Sequence, residues 1–329
     1  MPVNPLARRF ITIPALMGLF VVVTALAPVL ALLAFFVDSA RWLARRRRWV
    51  SVRGLAFLWV YLLGELWALS ALLVTVVLPH QLKLEATFWL QEKWASWNLR
   101  AIETLFTLTL VIEGQDCVSP GPVIVLSRHA SMVDTLLPAT LITRTTGLKL
   151  RYVLKKELLV DPALDVAGNR LPNAFIDRGA RDASERIAIR DLAAGLGPSD
   201  GILIYPEGTR FSESKLRRYQ DRVASDETVG EHAGALRRVL PPRPGGTLAL
   251  LDSTDADVVV LAHHGLEGLA TVSDIWGGGL VGSRISVRMW RVPRTEIPDS
   301  RSGRVEWLYR LWVEIDDWVV SMDAGSGSG

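Results

Sequence analysis

The side chains of His129 and Asp134 are the pair in this sequence best suited to proton transfer. They lie in residues 127–134, which follow the apolar run Val123–Leu126. A separation of five residues cannot place both side chains on one face of a continuous helix, where neighbours are three or four residues apart. If His129 leaves a strand and Asp134 enters a helix, the carboxylate accepts from imidazole Nδ1 and leaves Nε2 free as a base. We therefore predict a general-base dyad, supported by Ser131, over the alternative of a surface histidine without a role.

A glycine-containing turn closed by an arginine follows another apolar run, Ile202–Tyr205. It reads P-E-G-T-R at residues 206–210, and backbone N–H groups beside a guanidinium are suited to binding an anion. Lys155 directly follows the apolar run Leu150–Leu154, and Arg178 follows the run Ala174–Ile176 after one intervening residue. Both basic residues have a simpler interpretation, because Lys155 could be solvated and Arg178 could pair with a nearby aspartate. If the strands are parallel, however, all of these groups reach one edge of the sheet and form an anion site.

These motifs, in this order, resemble those of the glycerolipid acyltransferase family, typified by 1-acylglycerol-3-phosphate acyltransferase. Four segments match the family blocks. In chain order they are H-x4-D at residues 129–134, K-x-E-L beginning at Lys155, residues 175–178 and the E-G-T-R turn at residues 207–210. Arg128 departs from the family pattern, which usually has asparagine before the histidine. The resemblance covers roughly Val123 to Arg210 and extends more loosely to the C-terminal part of the chain.

The resemblance implies a membrane-bound acyltransferase that uses acyl-CoA or acyl carrier protein as the thioester donor. The acceptor it implies is the free hydroxyl of a lysophospholipid, first of all 1-acyl-sn-glycerol-3-phosphate, giving phosphatidic acid. His129 would be the base, oriented by Asp134, and Glu207 would support the turn. The residues expected to hold the acceptor phosphate are Arg210, Lys155, Arg178, Gly208 and Thr209. We expect no metal and no cofactor beyond the donor.

Other function classes remain open at this stage. The acceptor could be a different lysophospholipid or a glycolipid, or the chain could be a non-catalytic, membrane-anchored module that binds anionic lipid. Such a module would not need the His129–Asp134 pair. A serine hydrolase is disfavoured because no G-x-S-x-G elbow lies between a predicted strand and a predicted helix. Residues 277–282 match G-x-G-x-x-G, but a predicted strand follows instead of a helix, so we expect a loop and not a dinucleotide site.

The composition points to a localised membrane segment. Of 329 residues, 50% are hydrophobic, and the mean hydropathy of +0.26 is high for a soluble domain. Phe10–Val37 contains no charge and is long enough for a membrane helix, which Pro14 and Pro28 should bend. A second apolar run, Gly54–Pro79, is broken only by Glu65, which must therefore pair or face protein. These runs predict a two-helix membrane hairpin.

The loop between the two runs contains Arg45–Arg48, with Trp42 and Trp49 beside it. Between apolar helices, this pattern favours binding to anionic headgroups over nucleic acid. Two full spans would place the loop and the enzyme on opposite faces of the membrane. We therefore favour a monotopic hairpin, with Arg45–Arg48 and the catalytic domain both on the cytoplasmic face of the cell membrane.

The remaining chain predicts an α/β fold with a central mixed sheet flanked by helices. Short apolar runs, among them Val258–Leu261 and Ile285–Trp290, alternate with helical stretches such as Ala183–Leu196. We expect the hairpin over residues 1–83, the acyltransferase domain over 84–322 and a flexible linker-like tail over 323–329. A single cysteine, Cys117, excludes an intrachain disulfide and with it a disulfide-rich secreted scaffold.

Overall fold

A seven-stranded sheet forms the centre of the computed structural model, which describes residues 4–176, 183–223, 230–267, 274 and 276–326. The strands are β1 Thr109–Glu113, β2 Val123–Ser127, β3 Lys149–Lys155, β4 Ala174–Ile176, β5 Asp200–Ile204, β6 Asp257–His264 and β7 Arg284–Val292. Their order across the sheet is β1-β7-β6-β2-β5-β3-β4, with β6 and β7 antiparallel and every other pair parallel. The predicted mixed α/β fold is thus confirmed.

The register of the central strands determines where the functional loops lie. Ser127 at the end of β2 pairs with Leu261 on β6, and Leu126 pairs with Ile204 at the end of β5. The carboxyl ends of these parallel strands therefore share one edge, which we call the functional edge, where ligands of open α/β sheets commonly bind.

Strand β1 is absent from the sequence-based expectations. It lies at the edge of the sheet, and its five residues are exposed or only partly buried. Its pairing with β7 reveals it.

The helices cover both faces of the sheet. Their bounds are α1 Pro5–Ala25, α2 Ala27–Arg45, α3 Ser51–Val74, α4 His80–Phe106, α5 Arg144–Thr146, α6 Pro162–Arg170, α7 Ala183–Leu192, α8 Glu213–Val223, α9 Gly230–Ala235, α10 Pro244–Leu251 and α11 Arg301–Ser326. Central strand β2 faces a core on each side: Val123 and Val125 pack towards α4, whereas Ile124 and Leu126 pack towards α10 and α11. This burial explains why β2 is apolar at every one of these positions.

The first apolar run forms two helices joined at Leu26, two residues before Pro28. Pro28 lacks the N–H that would continue the helical bonding, and the interruption falls where the sequence predicts a bend. Pro14, in contrast, lies inside α1 without ending it. Among the residues that the structure describes, three helices are long and apolar enough to cross a membrane: α1, α2 and the one over Ser51–Val77.

Helices α1 and α2 run antiparallel to α3 and form the predicted hairpin. Near its middle, Trp59 Nε1 donates to Thr24 Oγ1 over 3.1 Å. At its tip, the buried carboxylate of Asp38 accepts from the backbone N–H groups of Ser51 and Val52, both at 3.0 Å. An aspartate at a helix N-terminus satisfies donors that have no intrahelical partner, so Asp38 determines where α3 begins.

Both ends of the hairpin contact the sheet domain, by which we mean β1–β7 with α5–α11. At the N-terminal end, Arg8 Nη2 and Arg9 Nη2 lie 2.7 and 3.3 Å from the buried Asp165 Oδ1 on α6. At the tip, Arg48 donates to the carbonyl oxygen of Val281, and Arg41 donates to that of Trp276 over 2.6 Å. The hairpin therefore lies along the sheet domain instead of pointing away from it.

Helix α11 extends into the predicted tail over residues 323–329, which stays a prediction. The helix continues to Ser326, so residues 323–326 are helical, and 327–329 lie outside the described residues. Asp323 accounts for this order, because its carboxylate lies 2.9 Å from His264 Nε2 and 2.8 Å from Arg238 Nε. The domain boundary expected between residues 83 and 84 stays a prediction.

Candidate functional site

The structure brings His129 and Asp134 together at the functional edge. His129 follows the end of β2, and Asp134 lies in the short 3₁₀ turn Val133–Leu136. Imidazole Nδ1 is 3.0 Å from Asp134 Oδ1. Since the carboxylate accepts, Nδ1 carries the hydrogen and Nε2 keeps its lone pair. The histidine is 9% exposed, so the ring is enclosed but reachable.

The loop backbone provides the other partners of the Asp134 carboxylate. Oδ2 accepts from the N–H groups of Ala130 and Ser131 at 2.6 and 2.7 Å. Ser131 Oγ in turn accepts from the N–H of Val133 over 3.1 Å and so supports the turn, as expected of this serine. Burial opposes ionisation of the carboxyl, but hydrogen bonds from the neighbouring histidines outweigh it, and the pKa of Asp134 lies well below its usual value.

The E-G-T-R turn follows β5 and is joined to the His129 loop. The Phe211 N–H donates to the His129 carbonyl over 3.1 Å. Gly208 has φ +74°, a conformation that favours glycine, and an added Cβ would lie 3.1 Å from Arg243 Cδ. The side chains of Thr209 and Arg210 are partly exposed at this turn.

Glu207 is buried behind the turn and connects two loops. Its Oε1 accepts from the His129 backbone N–H at 2.9 Å, and its Oε2 accepts from the Leu240 N–H at 3.2 Å. Burial raises the pKa of Glu207 to about 8, against the opposing effects of Arg128 and the two N–H groups. The glutamate thus has a supporting position, with its carboxylate on backbone and not at the imidazole Nε2.

Comparisons with known proteins agree with this arrangement. Residues 109–245, which contain both motifs, match the Acyltransferase family model. Mouse lysocardiolipin acyltransferase 1 is 23% identical over 291 residues, which span 84% of this chain and 75% of that protein. Residues 109–245 thus form an Acyltransferase domain, and the chain is similar to the glycerolipid acyltransferases.

The fold of this chain is also similar to that of a solved acyltransferase. The crystal structure of the 1-acyl-sn-glycerophosphate (LPA) acyltransferase PlsC from Thermotoga maritima aligns with a TM-score of 0.58 at 16% identity. The alignment covers 84% of this chain and 96% of that one, so the chain has the PlsC-like fold, with apolar N-terminal helices.

The structure places some of the predicted phosphate-binding residues of the acyltransferase at the functional edge. Lys155 is the last residue of β3, which pairs with β5, and it is half-buried. Gly208, Thr209 and Arg210 form the turn after β5. Arg178 lies outside the described residues, so its expected role stays a prediction.

Two further basic residues at the turn were not predicted. Lys215 Nζ lies 3.1 Å from Thr209 Oγ1 and 2.8 Å from the Arg210 carbonyl oxygen. Burial and the nearby charges of Arg210 and Arg218 lower the pKa of Lys215. Arg243 donates its backbone N–H to the Pro206 carbonyl over 2.8 Å and packs against Gly208. Lys215 was visible in the sequence one turn into the helix that follows E-G-T-R, whereas Arg243 has no local signal.

Arg128, the residue that departs from the family pattern, has a structural explanation. Its fully buried guanidinium donates to the carbonyl oxygen of Arg238 over 2.7 Å, to that of His263 and to the Glu267 carboxylate. A buried cation needs such partners, and Glu267 supplies the compensating charge. Arg128 therefore connects the segment after β2 to those around residues 238 and 263–267.

Within the part of the chain that the structure describes, no group of three or more metal-ligating side chains is placed to hold an ion. The expectation that the reaction needs no metal stays a prediction.

We expect Glu207→Ala to lower both stability and activity. Two buried N–H groups would lose their acceptor, at a cost of about 1–3 kcal/mol each. The displaced His129 should lower kcat by up to about 10²-fold. Thermal melting and acyl transfer kinetics measure the two effects.

The control is Asp316→Ala, because Asp316 accepts from the backbone N–H groups of Arg237 and Val239 in the same segment but does not contact His129. It should reduce stability while retaining more of kcat. Equal loss of kcat in both variants would contradict the role assigned to Glu207.

Proposed function

We propose that this acyltransferase moves a fatty acyl group from a thioester donor, acyl-CoA or acyl carrier protein, to the free hydroxyl of a lysophospholipid. The favoured acceptor is 1-acyl-sn-glycerol-3-phosphate, which would give phosphatidic acid. The observation that carries the proposal is the His129 Nδ1 to Asp134 Oδ1 contact of 3.0 Å, which leaves Nε2 unprotonated at the functional edge.

The proposed reaction needs no acyl-enzyme intermediate. His129 Nε2 takes the proton of the acceptor hydroxyl as its oxygen attacks the thioester carbonyl carbon. The tetrahedral intermediate collapses with cleavage of the carbon–sulfur bond, and the protonated imidazole returns the proton to the leaving thiolate. Asp134 holds the ring in the required tautomer and stabilises the imidazolium between the two steps.

Arg210, Lys155 and the turn at Gly208 support a phosphate-bearing acceptor. A guanidinium can bind phosphate through two parallel hydrogen bonds and so position the acceptor hydroxyl. Arg178 is proposed for the same role from its motif alone. Because a lysocardiolipin acyltransferase is among the relatives, a screen of acceptors should include lysophosphatidic acid, monolysocardiolipin and an uncharged lysolipid, with products identified by mass spectrometry.

The hairpin supports binding to one leaflet of the membrane. Its N-terminal end contacts Asp165 and its tip contacts Val281, so both ends lie on the sheet domain. A transverse span would separate these ends by a hydrocarbon core of about 30 Å. Large apolar side chains face outward along α1 and α2, among them Phe10, Val21, Leu33, Phe36 and Leu43. We therefore propose a monotopic arrangement at the cytoplasmic face of the cell membrane, where both thioester donors are found.

The tip of the hairpin is suited to anionic headgroups. An open cavity of about 400 Å³ lies between the tip and residues 281–282, lined by Arg46, Arg47, Arg48, Arg53 and two tryptophans. The Arg46 guanidinium stacks over Trp42 at 4.3 Å. Basic residues beside interfacial tryptophans are typical of a surface that contacts lipid phosphate.

We expect His129→Ala to lower turnover by about 10²–10⁴-fold, because the general base is lost. Asp134→Asn should have a similar or smaller effect, since it keeps the shape but favours the wrong imidazole tautomer. The wild-type rate should also fall on acidification, because a protonated imidazole cannot accept a proton. The assay is thiol release from acyl-CoA in the presence of lysophosphatidic acid, with thermal melting as the folding control. A folded His129→Ala protein with the wild-type rate would favour the non-catalytic lipid-binding module.

We expect Arg210→Ala to raise chiefly the KM for a phosphate-bearing acceptor. Arg210→Lys should restore little, because a point charge does not replace a bidentate guanidinium. Arg217→Ala is the matched control, since it removes the same charge from an exposed position on α8. A rise confined to the donor KM would contradict the assignment and point to the phosphates of CoA.

The topology predicts labelling from one side of the membrane. In a Cys117→Ser background, Arg46→Cys and Ser302→Cys should both react with an impermeant thiol reagent from the same face of sealed vesicles. Leu33→Cys, which is exposed in the protein, should react only after detergent is added, because lipid covers it. Labelling of positions 46 and 302 from opposite faces would exclude the monotopic hairpin.

A further inference from the structure

A second histidine, His263, contacts the carboxylate of the proposed dyad. It lies on β6 and is fully buried. Its Nε2 is 3.4 Å from Asp134 Oδ2 and 3.2 Å from the Arg128 carbonyl oxygen. His263 lies outside residues 109–245, which the family model matches, and the mechanism above does not use it.

The partners of His263 determine which ring nitrogen carries the hydrogen. A carboxylate oxygen and a carbonyl oxygen only accept hydrogen bonds, so Nε2 must be the donor. Nδ1 is buried and has no hydrogen-bond partner among the residues described. A hydrogen on Nδ1 would be a buried donor without an acceptor, and it would leave the Nε2 lone pair facing two oxygens. The geometry therefore requires the Nε2–H tautomer.

Strand register places the two histidines on either side of one carboxylate. Ser127 on β2 pairs with Leu261 on β6. His129 and His263 each follow the paired residue by two positions, on neighbouring parallel strands. Asp134 enters from the turn beyond β2, so Oδ1 faces one imidazole and Oδ2 faces the other.

The charged and titratable groups around this cluster come from three segments. After β2, Arg128 donates to the His263 carbonyl. After β5, the Tyr205 ring centroid lies 4.8 Å from that of His129, and Glu207 accepts the His129 backbone N–H. After β6, Glu267 pairs with Arg128. Among these side chains, only the two imidazoles are within hydrogen-bond distance of the Asp134 carboxylate, so they share its charge.

We propose that His263 is a positioning residue, whose Nε2–H holds Asp134 Oδ2 so that Oδ1 faces His129, and which limits the negative charge presented to that base. The inference rests on the proposed function, because it concerns the same reaction. A donor on Oδ2 makes the carboxylate a weaker acceptor at Oδ1. Loss of the donor should leave more negative charge facing His129, favour its protonated form and increase its basicity.

The test compares His263→Leu with His263→Gln. The leucine removes the donor and should lower kcat by about 10-fold, while the acid limb of the pH–rate profile moves to higher pH by about 0.5–1 unit. The glutamine amide can donate from nearly the same position, so His263→Gln should keep the acid limb of the pH–rate profile at its wild-type pH. His264→Gln is the control, because this adjacent histidine contacts Asp323 and not Asp134.

An activity-independent measurement uses ¹⁵N-labelled histidine in the full chain. The chain has five histidines, and the variants assign their NMR signals. His263 should show a protonated Nε2 and an unprotonated Nδ1, and the His129 signal should titrate at higher pH in His263→Leu. If His263→Leu does not fold, the tautomer of His263 in the wild-type protein tests the inference. A protonated Nδ1 with an unprotonated Nε2 would overturn it.

The outcomes separate this inference from the proposed function. A folded His263→Leu protein with lower activity, an unmoved acid limb and no rescue by glutamine would show that His263 only fills space, and would overturn the inference. A wild-type protein without acyl transfer would overturn the proposed function. In that case the expected tautomer and the shifted His129 titration would still support the positioning role.

Discussion

The carboxylate of Asp134 is a fully buried negative charge, and the functional edge is built around the donors that it needs. Such a charge is unfavourable unless hydrogen bonds and opposite charge replace the lost water. Two donors are the backbone N–H groups of Ala130 and Ser131, and a third is His129 Nδ1. His263 Nε2, which also faces the Arg128 carbonyl, lies 3.4 Å from Oδ2. This requirement determines the tight turn after β2, the orientation of His129 and the presence of a polar residue inside β6.

A second buried acidic side chain, that of Glu207, supplies hydrogen-bond acceptors to the backbone. It accepts from the N–H groups of His129 and Leu240, which belong to segments far apart in the chain. Arg128 lies nearby, and its charge is balanced by Glu267. Buried polar networks of this kind are favourable only when every member has a partner, so they hold loops in a single arrangement. The turn that presents Arg210 is consequently fixed relative to the imidazole.

The membrane hairpin is connected to this edge by charge as well as by packing. Asp165 joins the start of α1 to α6, and Arg48 joins the hairpin tip to the segment before β7. Strand β7 is antiparallel to β6, so the segment before it lies beside the end of β6 and close to the functional edge. A lipid acceptor in the leaflet would therefore approach the dyad from the side on which the hairpin lies.

The sequence by itself determined the local features of this protein. The His129–Asp134 pair, the E-G-T-R turn, most strands, the apolar runs and the bend near Pro28 all depend on residues close together in the chain. Their geometry follows from spacing, backbone preference and burial pattern. Only the tertiary structure revealed edge strand β1, the partners of Arg128, the packing of Arg243 on the turn and the contact between His263 and Asp134. These depend on strand order and register, which bring together residues from 35 to more than a hundred positions apart. An adjacent histidine pair has no distinctive spacing, so the sequence could not indicate that His263 faces Asp134 while His264 faces Asp323.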